Sequence, residues 1–384
     1  MTRRVAIVGA GATAFRPVSP ELSYKELMYE AAIRAYSDAG IDPRVDVDSF
    51  VTSAEDFHEG TSIFDEYTPD QLGGVLRPNH TITADGLNSI AAAYMQILTG
   101  EFDMVVVEAH SKASNSLTPE QVAAYALDPV YTRPLSLHPN FIAGIEMNRF
   151  LNESGYTREH CAQVCVKNHK NALANPLAAY GASIELQEVL ASPPAFAPLS
   201  HADIARHADG AVVIVLASEE RASQLSSIPV WVKGVGWCSD TPALETRDWG
   251  QAVYARLSSQ MAYRMADIRT PHEEIDLAEL DDSFSYKELQ AMEALGLCKP
   301  GQAGAMTLAG ETRPEGKLPV NISGGSLGTG LAHEATGLLK LFEIVLQLRG
   351  HAGPRQLQNP RVGVAQSWKG IPHTSGAVVV LGSE

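Results

Sequence analysis

The sequence predicts an α/β protein in which mixed or parallel sheets are covered by helices on both faces. Short apolar runs alternate along the chain with segments of helical periodicity. Strands separated by helices imply crossovers that cover the sheet. The two halves also share an order. Each opens with a strand and a helix, holds a buried helix behind a glycine, and closes on "GAVV" (Gly210–Val213 and Gly376–Val379). A duplicated unit follows, with residues 1–225 as one half, 226–384 as the other, and the boundary near Ser223–Ile228.

Taken in order, Ala6–Gly9 reads as a buried strand that runs into "GAGATAF". This keeps the first two glycines of a dinucleotide fingerprint but not the third. The acidic residue that should close a second strand is poorly placed near Asp46–Val51, so a tight strand exit is the better reading. Ser23–Ala39 follows as a helix, and Gly86–Leu98 is apolar nearly all round, hence a buried helix. Asp103–Ala109 and Gly210–Ala217 are core strands. Residues 110–200 carry extra loops and helices, among them "YTRPLSLHPNFIAG", and read as an insertion in the first half. Proline-rich loops of such length are more often functional than decorative. The second half starts at Pro229–Val235 and continues with a helix (Gly250–Met265), a strand (Ile275–Leu280) and a helix (Tyr286–Leu295). The glycine-rich stretch "NISGGSLGTGLAHEATGLL" then opens a long helix (Thr336–Leu348), and the strands Val362–Gln366 and Gly376–Leu381 end the series.

Composition narrows the function. With 384 residues, 45% hydrophobic and 19% charged, the chain has the balance of a soluble globular protein with a large core. Its net charge of −16 argues against a nucleic-acid partner, which needs a basic face. A local basic patch can still receive an anionic substrate. The four cysteines form no CxxC pair, and Cys161 and Cys165 fall on one helix face. No Cys/His cluster has zinc-ligand spacing, so no metal site is expected. The opening "MTRRVAIVGAGATAF" is too short for a signal core or a membrane span, and a cytoplasmic enzyme is the expectation.

Six ordered blocks carry a resemblance: "EFDMVVVEA", "VKNHKNALANP", "HADGAVVIVLAS", "IDLAELDDSFSYKELQAMEALGLC", "NISGGSLGTG" and "LQLRG". Together they resemble the thiolase superfamily, in the sterol-carrier-protein-thiolase branch with its bacterial and archaeal relatives and steroid side-chain aldolases. The resemblance implies a five-layered αβαβα sandwich of two similar halves. It also implies a homodimer and an acyl-CoA substrate, with CoA entering as part of that substrate and not as a resident cofactor. Strand Asp103–Ala109 would lie against its mate in that dimer, which would account for its "MVVV" run. Relatives often pair with a small subunit carrying an OB-fold and a zinc ribbon, so any zinc would sit in that partner.

The family's catalytic elements map onto altered residues. At the start of the buried helix, "TADGLNSIAAAYMQILTG" puts Thr83 at the nucleophilic cysteine position and Asp85 two residues on. A hydroxyl is a far weaker nucleophile than a thiolate unless a base stands beside it. In "GLAHEATG" Leu331 replaces the family histidine, with His333 and Glu334 just beyond; these can supply a substitute base or simply cap the helix. In "DDSF" Asp281 stands at the position of the thioester-orienting residue, followed by Asp282, Ser283 and Phe284. Neighbouring residues on a strand point to opposite faces, so only one carboxylate can enter the site, and Asp281 inherits the catalytic place. It is either a base of raised pKa or a hydrogen-bonded strand end. Tyr286 lies close by as a further acid/base candidate. "QSWKGIPHTSGA" adds Trp368, Lys369 and His373, with Trp368 either narrowing the pocket or covering the loop. By resemblance, Lys167, His169 and Lys170 would lie near the CoA nucleotide. Gly324, Gly325 and Gly328 would offer backbone N–H donors to an enolate oxygen.

A thiolase lacking its cysteine keeps a CoA-ester pocket and new acid/base groups. That set fits carbon–carbon cleavage or formation without a cysteine acyl-enzyme, of the aldolase or retro-aldolase type. An acyltransferase with an unusual nucleophile, or a scaffold or lipid-binding subunit that lost catalysis, are the competing readings.

Overall fold

The structure, a computed structural model, describes residues 3–60, 63–225, 227–241 and 243–384. The expected half boundary falls on Ser226, outside the described residues. The strands are β1 (Val5–Ala12), β2 (Ser49–Ser53), β3 (Asn79–Ile82), β4 (Met104–Ser111), β5 (Pro194–Phe196), β6 (Leu199–Ser200), β7 (Gly210–Ser218), β8 (Val230–Ser239), β9 (Leu277–Glu279), β10 (Val362–Gln366) and β11 (Ser375–Gly382). β5 and β6 form a small separate ribbon. The other nine pair in the order β3-β2-β4-β7-β1-β8-β11-β10-β9. The pairs at the two ends of this order (β2–β3, β2–β4, β9–β10) are parallel and those between them antiparallel, so the sheet is mixed.

The join between β1 and β8 is two residue pairs long, Ala6 with Trp231 and Ile7 with Val230. The sheet therefore folds over at that seam into a five-strand part and a four-strand part. Between them lie the helices Gly86–Leu98 and Thr336–Arg349. One continuous core joins Val105 and Ile214 of the first part, Ile90 and Leu341 of the helices, and Val379 and Leu381 of the second part. Helix Tyr24–Ala39 covers the outer face of the first part through Leu27, Met28 and Ala31. Helices Val253–Ala266, Ser285–Ala294 and Arg158–Ala172 cover the outer face of the second. These are the five αβαβα layers. Fully burying each Leu or Ile of the inner helices stabilises this arrangement by about 1.5–3 kcal/mol.

Local chemistry sets the outer layer. Ser23 and Glu26 form a capping box at the start of helix Tyr24–Ala39, and Gly40 ends it in the left-handed region at φ 70°. A side chain at Gly9 would stand 2.5 Å from the Ala35 carbonyl oxygen. The "GAG" of β1 thus admits the helix against the strand.

One expectation is corrected. β4 is internal, paired with β2 on one side and β7 on the other. The "MVVV" run is explained by burial within this chain and needs no second copy. The strand with a free edge in that part is β3, whose residues are all half-buried. Residues 110–200 hold two packed helices, Pro139–Ser154 and Arg158–Ala172, whose Met147, Phe150, Cys161 and Cys165 join the outer core. Among the described residues, no helix is long and apolar enough to cross a membrane.

Candidate active site

The two inner helices start side by side, and one carboxylate ties them together. Asp85 accepts the backbone N–H of Leu87 at 2.9 Å and, across the halves, that of Gly337 at 2.9 Å. Both glycines at this junction are required by space: a side chain at Gly86 would strike Leu338, and one at Gly337 would strike Asp85. Burial, with the charge of Asp281 adding to it, raises the Asp85 pKa to about 6 against the pull of those N–H groups. The paired helix starts also bring their positive dipole ends to one place.

A cavity of about 750 Å³ opens above this junction. Its walls come from the segment after β2 (Glu55, Phe57, His58), the 119–140 stretch, Ile204–His207, Ser283–Phe284, Leu331–Thr336 and Trp368–His373. Asp85, Ser283, Leu331 and Trp368 all line it. Trp368 is held flat by its indole N–H on the His373 carbonyl (2.8 Å) and by the Lys287 ammonium 4.0 Å from its ring.

Six titratable groups of the cavity, Glu55, His58, His207, His333, Glu334 and Lys369, form one cluster. His58 Nδ1 lies 3.0 Å from Glu334 Oε1. Lys369 Nζ bridges Glu334 (3.2 Å) and Glu55 (2.8 Å). The His58 ring stacks on His333 at 4.2 Å, and His207 follows at 4.9 Å. His333 sits in the left-handed region at φ 43°, a costly conformation for a residue with a side chain.

Their protonation states diverge. Burial would lower the His58 pKa, but the hydrogen bond and charge of Glu334 override it and hold His58 above its ordinary value. Burial would raise Glu334, yet His58 and Lys369 keep it far below the carboxylate range. His333 is pushed well down, first by burial and then by the His58 charge, so it is a neutral imidazole. Lys369 resists burial because two carboxylates face it, and it remains an ammonium. The result is an imidazole oriented through Nδ1 by a fixed carboxylate, which leaves Nε2 for proton transfer.

Glu55, His58 and Glu334 also bring one ligand atom each within 4.8 Å of one another. The Lys369 ammonium already lies between the two carboxylates, so the cluster has its own cation.

The other expected site residues lie elsewhere. Thr83 is exposed in the loop after β3 and does not line the cavity. Asp281 is sealed below the wall; it accepts the N–H and hydroxyl of Ser283 (3.1 and 3.0 Å), and burial raises its pKa. Tyr286 is fully buried in the outer core beside Glu146, and its phenol stays protonated. Of the four expected catalytic side chains, the cavity receives only His333.

The expected CoA-binding residues are also outside it. Lys167 Nζ is buried against the Val320 carbonyl (2.6 Å) and Glu288 (3.1 Å), so it braces the core and offers no charge to a ligand. His169 bonds the Tyr180 carbonyl at 2.8 Å, and only Lys170 is exposed. Gly324 and Gly328 pack on Ala172, and Gly325 packs on Asp282. These glycines let a short helix press against helix Arg158–Ala172, and none of them lines the cavity.

Sequence reading passed over His58 and Glu55. Their signal was weak: a histidine among acids, "EDFHEG", in a long loop. His207 was visible only inside a strand-forming block.

No thiol reaches the cavity among the described residues. Cys161 and Cys165 are buried in the outer core with their pKa values pushed up, chiefly by burial. Cys298 is likewise raised to about 12 by burial.

Known proteins share this architecture. The thiolase N-terminal domain model matches residues 5–185, and the thiolase C-terminal domain-like model matches residues 236–383. An acetyl-CoA acetyltransferase of Methanothermobacter thermautotrophicus is 30% identical over 381 residues, spanning 97% of this chain and 98% of its own. The 17-hydroxy-3-oxo-4-pregnene-20-carboxyl-CoA lyase of Mycobacterium tuberculosis is 29% identical over 403 residues, covering 99% of this chain and 100% of its own. Among solved structures, an Ltp2-ChsH2(DUF35) aldolase superimposes with a TM-score of 0.85 at 27% identity, covering 99% and 97% of the two chains. With its two halves matched in order and its five layers in place, the chain belongs to the thiolase family.

Proposed function

We propose that this protein is a carbon–carbon lyase of the aldolase type, acting on a CoA thioester that carries a β-hydroxyl group. The observation that carries this reading is the His58–Glu334 pair facing a cavity that no cysteine lines. A thiolase-type acyl transfer needs a thiolate to take the acyl group. A retro-aldol step needs only a base and a way to stabilise an enolate.

In this reading His58 Nε2 takes the hydroxyl proton, and Glu334 stabilises the imidazolium that forms. The β-oxygen becomes a carbonyl as the Cα–Cβ bond breaks, and the electron pair passes to the thioester as an enolate. Lys369 and neutral His333, an N–H donor, stabilise that enolate, and the proton on His58 returns to its carbon. The products are a ketone or aldehyde and a shortened acyl-CoA. The lyase and aldolase names of two relatives agree with this chemistry.

CoA enters as part of the substrate, with its nucleotide end near exposed Lys170. The chain works as a homodimer with a small OB-fold, zinc-ribbon subunit that carries any zinc and completes the CoA channel. Its four free thiols suit a reducing cytoplasm.

The test is chromatography of a β-hydroxyacyl-CoA incubated with the protein, alone and with that subunit. Carbonyl product and shortened acyl-CoA should appear together, most rapidly with the subunit present. A stable acyl adduct on any cysteine by intact mass, with acyl exchange and no cleavage, would establish the acyltransferase instead.

A further inference from the structure

The segment that carries His58 is a single helical turn, Asp56–Glu59, in which no residue is fully buried and the Glu59 side chain is nearly so. One turn has no intrinsic stability, so its orientation must come from outside. The residue after His58 is Glu59, whose side chain turns away from the cavity and is 5% exposed. It meets His110 at the end of β4, with Nε2 3.1 Å from Glu59 Oε1. On the other side His110 Nδ1 lies 2.9 Å from Glu108 Oε1. His110 and Glu108 are both completely buried. Tyr24 and Phe64 stack on the imidazole at 5.5 and 5.2 Å, which fixes the plane of the ring.

We propose that His110, clamped between Glu108 and Glu59, is a positioning residue that sets the angle at which His58 meets Glu334. It touches neither the cavity nor His58. Its effect passes through one peptide unit: neighbouring side chains on a helical turn project about 100° apart, so fixing Glu59 inward also fixes the direction in which His58 leaves the backbone. Nδ1 is hydrogen-bonded to Glu108 and Nε2 makes an ion pair with Glu59, so an imidazole protonated on both nitrogens holds a carboxylate on each side. Both carboxylates favour that form, and together they override the effect of burial. The groups facing the tie are Glu59 from the His58 turn, Glu108 from β4, Tyr24 from the outer helix and Tyr36 beside Glu108. Breaking the tie should loosen the His58–Glu334 contact without removing either partner.

This inference rests on His58 being the base, but its physical content is measurable without turnover. The titration of His58 followed by NMR in the free protein is the primary readout. Glu59→Gln keeps size and removes the charge that holds the turn, so the His58 midpoint should fall by about half a unit or more as the Glu334 contact loosens. With a cleavable substrate, kcat should fall about tenfold while KM stays within twofold. Glu59→Asp, which keeps the charge, should recover part of both effects. An unchanged His58 midpoint in folded Glu59→Gln would overturn the proposal whatever the activity shows. A shifted midpoint with unchanged kcat would uphold the tie and instead refute His58 as the base. Should Glu59→Gln fail to fold, His110→Gln, which removes the tie from its other side, carries the same readouts, and an unchanged His58 midpoint there would equally overturn it.

Discussion

Two knots of charge in this molecule do opposite things. At the end of β9, Asp282 accepts the backbone N–H groups of Ser326 (2.6 Å) and Leu327 (3.1 Å), the amide of Asn168 (2.8 Å) and the Lys340 ammonium (3.1 Å). Its capacity is used up, and it is completely buried. At the cavity wall, Glu334 also holds a histidine and a lysine, but the histidine keeps one nitrogen free and faces open space. The first knot is mortar between the glycine-rich helix and the central layer. The second is poised for proton transfer. Asp281, expected at a catalytic position by resemblance, is buried and bonded to Ser283 and so belongs with the mortar; position in a motif does not confer access.

The comparison breaks most plainly at His58. His58→Ala should reduce kcat by about two to four orders of magnitude, the range of a lost general base. Asp281→Asn should leave kcat within several-fold. Equal losses in the two variants under steady-state assay would return the catalytic role to the motif.

The mirror experiment is Asp282→Ala, which strands the Lys340 charge in the core. A broken buried pair costs about 3–5 kcal/mol, read by chemical denaturation. A loss below about 1 kcal/mol would mean that this knot is not structural mortar.

A third test sharpens the cavity knot through pH. His58 must lose its proton to act, so activity should rise with pH through a midpoint above the ordinary histidine value. Glu334→Gln removes the charge that raises it, and the midpoint should drop by about one unit. Glu334 itself has a depressed pKa, so its stabilising contribution is full above its ordinary value and is lost as pH falls toward the depressed one. The variant should therefore lose part of the acid limb of its stability profile as well.

Asp85 has the opposite sign. With its folded pKa raised to about 6 from 3.8, the folded state holds its proton longer, and stability should decline as pH rises across that window. Thermal melts at several pH values should show this decline, and Asp85→Asn should flatten it.

The smallest expected effect is at the exposed surface. Lys170→Glu should weaken CoA binding about threefold and make it less salt-dependent by calorimetry, since exposed charges act weakly and are screened. Lys167→Met should alter stability and leave CoA affinity alone, because that ammonium is spent on Glu288 and Val320.

The sequence by itself determined the layers. Helix Gly86–Leu98 and strand Val362–Gln366 were legible because periodicity is local: the residues that make each element are its own neighbours. That no cysteine stands at the start of helix Gly86–Leu98 was equally legible, since it concerns one short stretch of sequence. Lys167 was misjudged because a charge pattern along a helix does not reveal which face the core will cover. Only the tertiary structure joined His58 to Glu334, 276 residues away, and closed the pair with Lys369. No local pattern marks such a contact. It exists because the two sheets fold over a shared helical layer and bring the loops at one end of that layer together.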